Sequence, residues 1–290
     1  MFNPYFGSGS RFQSHISKNG YKEQRVTFSG PLIDLSWMYY LCDQAVTTDD
    51  TPGAGFYTHV YDSTVAHQNP PKSFKLMRVL TNDNGSSVET KISLWVGCTV
   101  INVSLDGGQD GTINASFEVL LGKEVAGVAL TTPPTYPAKD FFNFFDGVLT
   151  WTKATVALKY MLQSFKYEFT TDKRFNKGNV DYFATAVLSP NRVAVKLNIS
   201  ARAMELDVYD DTQDDPHTDH AKIATFKISR NTTNDYLQFS FVNCFQDLES
   251  QDFVDGFELV GIDTWINPHE TGSKHTITEV NNLDDDRYET

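Results

Sequence analysis

The stretch that decides the fold is Trp95-Val-Gly-Cys-Thr-Val-Ile-Asn-Val-Ser-Leu-Asp-Gly-Gly-Gln-Asp-Gly-Thr-Ile-Asn-Ala-Ser-Phe-Glu-Val-Leu-Leu-Gly-Lys123. Its second arm alternates polar and apolar side chains from Thr112 to Val119, a period of two that indicates a strand with one buried face. Its first arm, residues 98–105, carries apolar side chains on both faces, as in a strand covered on both sides. Glycines in the connection 106–111 tolerate the positive φ that hairpin loops need. The stretch therefore predicts a β-hairpin.

The composition favours a β-rich chain of one large domain or two ordinary ones. Its 290 residues include 21 Phe and 13 Tyr, which favour strands. The net charge of -13 argues against a protein that binds DNA through the phosphate groups. The three cysteines are far apart and form no CxxC pair, which predicts reduced, buried thiols. Neither a signal peptide nor an apolar membrane span is recognisable, so we predict a protein made in a cytoplasm.

Prolines at two places indicate where a helix begins and where the chain divides into domains. Pro31 precedes apolar residues spaced three and four apart, which predicts a helix over Pro31–Gln44. The proline-rich segment 131–139 fits neither helix nor sheet interior. It divides the chain into a predicted N-terminal domain, residues 1–130 with an N-terminal arm, and a C-terminal domain, residues 131–290 with an acidic tail. The second half is again β-rich, but its low identity to the first supports a duplication only weakly.

No catalytic signature is present, so we predict that the chain is not an enzyme and needs no cofactor. The richest polar cluster, residues 210–220, holds five aspartates and two histidines. Its Asp214, Asp215 and Asp219 are candidates for contact with a cation. The spacing does not match an EF-hand, and a solvated acidic loop is the simpler interpretation, so we predict no metal site.

Six short stretches carry a resemblance to one family of proteins. They are Phe56-Tyr-Thr-His-Val-Tyr61, Pro70-Pro-Lys-Ser-Phe74, Gly97-Cys98, Leu121-Gly-Lys123, Phe144-Phe-Asp-Gly147 and Leu162-Gln-Ser-Phe165. In their order and texture they resemble the tail tube proteins of long-tailed, siphovirus-like bacterial and archaeal viruses, in particular the two-domain type. The resemblance spans roughly residues 30–270, whereas the acidic cluster at 210–220 is less familiar.

The resemblance implies a mainly β fold with two tandem β-sandwich or barrel-like tail-tube domains, each with a flanking helix. It implies a homo-oligomer in which three chains close a pseudo-sixfold ring and rings stack into a tube. Other implied partners are the tape measure, tail tip and terminator proteins, with genomic double-stranded DNA passing through the lumen without sequence-specific binding. The chain would be a virion tail component assembled in the host cytoplasm. Candidate inter-subunit or lumen residues are Asp106, Gln109, Asp110 and Glu118, and a carboxylate-lined lumen would repel DNA phosphates.

Two other functions are open to the sequence. A β-sandwich binding module of a tail tip or fibre could recognise carbohydrate or a host surface through the tyrosines Tyr39, Tyr40, Tyr57 and Tyr61. A metal-dependent enzyme could use the 210–220 cluster. We rank both below the structural tube subunit, because paired β-rich halves without catalytic groups suit a protein that builds an assembly.

Overall fold

The computed structural model describes residues 24–43, 45–49, 55–62, 72–83, 88–108, 111–125, 140–144, 147–153, 156–159, 161–175, 187–188, 193–203, 222–230, 232–253, 260–268 and 274–282. Within these ranges the chain is mainly β, with one short helix, α1 (Met38–Cys42). The strands are β1 (Gln24–Pro31), β2 (Val46–Asp49), β3 (Tyr57–Asp62), β4 (Phe74–Asp83), β5 (Val88–Gly108), β6 (Asn114–Leu121), β7 (Lys123–Val125), β8 (Gly147–Lys153), β9 (Val156–Lys159), β10 (Met161–Thr171), β11 (Arg174–Phe175), β12 (Val187–Leu188), β13 (Val193–Ala203), β14 (Lys222–Arg230), β15 (Thr232–Phe253), β16 (Val260–Pro268) and β17 (Lys274–Asn281).

The predicted hairpin is confirmed as β5 and β6, which pair antiparallel. The apolar run in its first arm has a different cause from the one expected. A β-bulge at Ile101 shifts the register between Val100 and Asn102, so that Val100 and Ile101 are both buried. Beyond the bulge the alternation resumes, and β5 has one polar face.

The helix predicted over Pro31–Gln44 is much shorter, because Pro31 ends the strand β1 instead of opening a helix. The residues after it pair with neighbouring loops: the Leu32 amide donates to the Ile113 carbonyl at 2.8 Å, and the Phe142 amide donates to the Leu32 carbonyl at 3.0 Å. Leu32 and Leu35 are still buried, as their spacing suggested. The helix expected in the second half is not among the described residues.

Two unusually long strands connect the layers of the fold. Seven strands form what we call the long sheet, in the order β1, β6, β5, β10, β13, β16 and β15, to which β5 and β15 contribute only their second parts. The first part of β5 pairs instead with β4 and β7. The first part of β15 pairs with β14 and β17, from which β8, β9, β3 and β2 extend the layer. Each long strand therefore belongs to two sheets.

The layers pack as a sandwich around one core. Tyr167 of the long sheet meets Phe239 of the facing layer with ring centroids 4.6 Å apart, and Phe165 meets Phe226 at the same distance. The three cysteines are free and buried, as predicted. Strands from both sides of the 131–139 segment share this core and pair directly, β5 with β10 and β3 with β17. Within the described residues, no helix is long and apolar enough to cross a membrane.

Candidate assembly surfaces

The long strands β5 and β15 turn from one sheet into the other at matching corners. Gly97 has a φ of 81° and Asn243 a φ of 52°, values that glycine and asparagine tolerate best. Each corner residue is the extra residue of a bulge and is followed by a buried cysteine. The two thiols donate to the carbonyl three residues earlier, Cys98 to Trp95 at 3.7 Å and Cys244 to Phe241 at 3.8 Å. Trp-Val-Gly-Cys and Phe-Val-Asn-Cys are thus one motif used twice.

The connections around the corners also repeat. In the first half β4 and β7 flank the part of the long strand before the corner, and β6 pairs with the part after it. In the second half β14 and β17 flank the part of β15 before its corner, and β16 pairs with the part after it. The outer neighbours correspond as well, since β1 adds to β6 and β13 adds to β16. The chain contains the same module twice, with β10 joining the two in the long sheet.

A buried arginine ties the two modules and the connecting segment together. Arg230 is 3% exposed, and its guanidinium holds both carboxylate oxygens of Asp235 at 2.9 and 3.1 Å. Its Nη1 donates to the carbonyl of Ile33 at 2.6 Å and to that of Asp140 at 2.8 Å. The guanidinium also lies over the Phe142 ring, 4.2 Å from its centroid. Such a fork of donors fixes three chain segments in one geometry.

A second lock lies at the end of α1. Lys173, at the end of β10, donates to the Asp43 carboxylate at 2.7 Å and to the Tyr40 carbonyl at 2.5 Å. Asp43 also accepts the Lys72 amide at 3.0 Å. Burial lowers the pKa of Lys173, and the Asp43 carboxylate works in the opposite direction. Lys173 thus satisfies the Tyr40 carbonyl of the helix and couples the helix to the segment that follows β10.

Two more buried polar groups lie on β17, and one of them, Glu279, connects this strand to the first module. Glu279 accepts from the Leu35 amide at 3.3 Å and from the Tyr61 hydroxyl at 3.4 Å. His275 lies 3.3 Å from the Tyr167 hydroxyl through its Nε2 and is surrounded by the rings of Tyr167, Phe169 and Phe241. Burial lowers the pKa of His275 to about 3, although Asp62 works in the opposite direction. The histidine is therefore neutral in the folded protein at neutral pH.

The outward face of the long sheet is polar. In the strands whose side chains are described it carries serine, threonine and asparagine together with three cations and three acids, Arg25, Lys166, Lys196, Asp106, Glu118 and Glu168. Arg25 pairs with Glu118 at 3.3 Å, and Lys166 pairs with Glu168 at 2.6 Å. This part of the face is charge-balanced.

The structure describes only some of the site residues that the sequence predicts. Asp106 and Glu118 lie on this polar face, Asp106 opposite Lys166 in the register of β5 and β10. Gln109 and Asp110, and the acidic cluster with Asp214, Asp215 and Asp219, lie outside the described residues. Within the described part of the chain, no group of three or more histidine, cysteine or acidic side chains could hold a metal ion.

The long sheet is open at the edge formed by β1, which within the described residues pairs only with β6. Beside this edge lies a groove of about 770 Å³ between β1 and β4, with Trp95 and Leu76 on its walls. An open edge offers unpaired backbone donors and acceptors, which proteins normally cover or pair. Within the described residues, the outer side of β1 therefore has no neighbouring strand.

Comparison with protein families decides the identity of the fold. The model of the phage tail tube protein family matches residues 19–280, most of the chain and both modules. The chain belongs to the phage tail tube protein family. A comparison with curated proteins finds no match. Membership in this family makes the chain a structural component of the phage tail tube.

The tyrosines proposed for a binding module do not form an exposed surface. Tyr61 is fully buried, and Tyr39 and Tyr40 pack against the core of the tail tube fold. Tyr57 is half-buried. Sequence reasoning missed Arg230, Lys173 and the repeated corner. Only the corner left a recognisable signal, the parallel between residues 95–98 and 241–244.

Proposed function

We propose that the chain is the major subunit of the tail tube, and that three copies close a ring of six similar modules. The repeated module carries this proposal, because two modules joined in one sheet make three chains geometrically equivalent to six single-module subunits. The division at the 131–139 segment into domains 1–130 and 131–290 is part of the proposal, and the matching corners, one in each part, support it.

Ring closure would join the long sheets of neighbouring chains at their edges. The open edge of β1 supports this, since closing a sheet into a barrel removes the unpaired backbone groups of every edge. The buried locks at Arg230 and Lys173 hold the angle between the two modules of one chain. A fixed angle within the chain favours one ring size, because each junction must turn by the same amount.

The polar face of the long sheet would line the lumen through which the genome is delivered. Its paired charges and its hydroxyl and amide groups offer no net positive field to attract DNA phosphates. Double-stranded DNA could then pass without sequence-specific binding. The other proposed partners are the tape measure, tail tip and terminator proteins, met during assembly in the host cytoplasm.

Electron microscopy of the concentrated protein, with its mass in solution measured in parallel, tests this function. We expect rings and stacked tubes with an open channel, and a smallest closed species of three chains. A protein that stays monomeric at high concentration, even with tail-tip proteins added as nucleators, would contradict the proposal. A ring of six chains would contradict the trimeric ring but would still agree with a tube-forming protein.

A further inference from the structure

A three-stranded layer in the first module has an aliphatic outer surface, which we call the aliphatic face. It consists of Met77 and Val79 on β4, Ile92, Leu94 and Val96 on β5, and Val125 on β7. Val79, Val96 and Val125 are 41%, 38% and 37% exposed. The register aligns these side chains in rows, with Met77 opposite Leu94 and Leu94 opposite Val125.

The aliphatic face points away from the core. Side chains alternate along β5, and the residues between its members, Ser93 and Trp95, are buried. Along β4 the alternate residues Leu76 and Arg78 also face inwards, since Leu76 packs against the core and Arg78 lies over the Trp95 ring, 5.0 Å from its centroid. The aliphatic side chains therefore occupy the face opposite the core.

The second module carries polar residues at four of the equivalent positions, although Ile223 and Val148 on its outer surface are exposed aliphatic residues. Counting from the corners Gly97 and Asn243, Leu94 corresponds to Ser240 and Ile92 to Gln238, and their register partners Met77 and Val79 correspond to Thr225 and Lys227. The amide of Gln238 donates to the Ser240 hydroxyl at 3.2 Å, and Lys227 lies over the Tyr236 ring. The fold thus accepts polar residues at all four positions, so packing within the chain does not require aliphatic ones in the first module.

An apolar patch that the fold does not require indicates a contact surface. A second apolar patch lies at the other end of β5, where Ile33 is 39% and Phe141 is 48% exposed. Hydrogen bonds hold both segments at the end of the β5–β6 hairpin: the Phe142 amide donates to the Leu32 carbonyl, and the Ile113 amide to the Phe142 carbonyl. We call Ile33 and Phe141 the apical patch.

Residues of opposite charge adjoin the two surfaces. The exposed lysines Lys75 and Lys123 flank Val96 in one row of the aliphatic face. The acidic residues Asp34 and Asp140 adjoin the apical patch in the sequence. A contact between two different ends of identical chains does not close on itself and generates an open stack.

We propose that the aliphatic face of one copy of this chain binds the apical patch of a second copy, head to tail, and so stacks one ring on the next. The inference rests on the proposed function, because it assumes that rings form. It adds the surface, the partner and the polarity of the stacking contact.

The test transfers the polar residues of the second module to the first in the variant Met77→Thr, Val79→Lys, Ile92→Gln and Leu94→Ser. The control variant Val148→Thr replaces an aliphatic side chain by a polar one at a residue 57% exposed on the outer surface of the second module. Thermal unfolding and circular dichroism check folding, and sedimentation with electron microscopy measures assembly. We expect the fourfold variant to fold and to form rings, with the concentration for stacking raised at least tenfold. We expect the control to stack like the wild type.

Two results would overturn the inference alone: a fourfold variant that stacks like the wild type, and one that loses cooperative unfolding as a monomer, since the face would then be covered by its own chain. If the wild-type protein forms neither rings nor tubes, the proposed function and this inference both fail.

Cross-linking checks the partner surface. Tubes of the double variant Val96→Cys and Phe141→Cys, treated with a short bismaleimide, should give a ladder of linked chains, whereas each single variant should give none. Absence of the ladder in intact tubes would refute the head-to-tail pairing.

Discussion

His275 makes the stability of the folded chain sensitive to pH in a direction that the structure fixes. The imidazole is buried among Tyr167, Phe169 and Phe241, and its pKa falls to about 3 from an ordinary 6.5. Above pH 6.5 the ring is neutral in both the folded and the unfolded chain and contributes no pH dependence. Between pH 6.5 and 3 the unfolded chain binds a proton that the folded chain does not, so the free energy of unfolding falls as the pH falls.

The magnitude follows from the linkage relation. One proton gained only on unfolding gives a slope of about 1.4 kcal/mol per pH unit, hence a loss of about 2–3 kcal/mol between pH 6.5 and 4.5. The variant His275→Gln keeps a polar group near the Tyr167 hydroxyl but does not titrate. We expect the difference in unfolding free energy between wild type and variant to shrink with this slope as the pH falls. Other carboxylates and histidines titrate in both proteins and cancel in the difference.

Urea unfolding followed by tryptophan fluorescence, at protein concentrations below assembly and at pH values from 4 to 7.5, measures both curves. The variant Tyr167→Phe is the control, because it removes the hydroxyl while His275 stays buried, so its slope should match the wild type. Parallel curves for wild type and His275→Gln would refute the reasoning, since they would mean that the histidine is protonated in the folded chain.

The remaining predictions concern the locks and the corner. Arg230→Met should cost about 2–4 kcal/mol in urea unfolding, because the partly buried Asp235 and the carbonyls of Ile33 and Asp140 lose their donor, and Arg230→Lys should recover only part of that, since an ammonium lacks the fork of donors. Lys173→Met should be more destabilising than Lys173→Met with Asp43→Asn, because only the single variant leaves the buried carboxylate without its ammonium, and asparagine tolerates the positive φ of residue 43 and still accepts the Lys72 amide. Equal losses in this double-mutant comparison would contradict the buried pair. Gly122→Ala should prevent normal folding, seen by circular dichroism, since a Cβ would collide with the Val96 carbonyl and the Gly97 backbone. A chain cut at a protease site inserted within 131–139 should stay associated on gel filtration, because β5 pairs with β10 and β3 with β17.

Local patterns predicted the strands well, and they failed where the backbone pairs with distant segments. The alternation in residues 112–119 identified β6 directly, because one face of that strand packs on the core. Pro31 misled the helix prediction, since its fixed φ and missing amide suit the end of an edge strand as well as the first turn of a helix. The choice between them depends on the hydrogen bonds from Leu32 to the distant residues Ile113 and Phe142, which local spacing does not encode.

The surfaces were harder to predict than the strands. Alternation placed Glu118 on the polar face of the hairpin, yet the pairing of Glu118 with Arg25 depends on the register between β1 and β6. Asp106 was assigned to the connection, whereas the structure has it within β5. Arg230 and Lys173 carried no signal in the sequence, because their partners lie up to 197 residues away. The corner was readable in principle, but two of its four residues differ between the halves.

Because the module occurs twice in one chain, residues at equivalent positions of the two copies can be compared directly. Both copies must satisfy the same corner, the same bulge and the same flanking strands, so residues that agree between them, such as the buried cysteines, reflect the needs of the fold. Residues that differ at equivalent outward-facing positions reflect surroundings that the fold does not set. The exchange of Leu94 and Ile92 for Ser240 and Gln238 is the clearest such difference. In a ring where the two modules alternate, these faces would meet different neighbours, and a face that stays in water has no reason to be aliphatic.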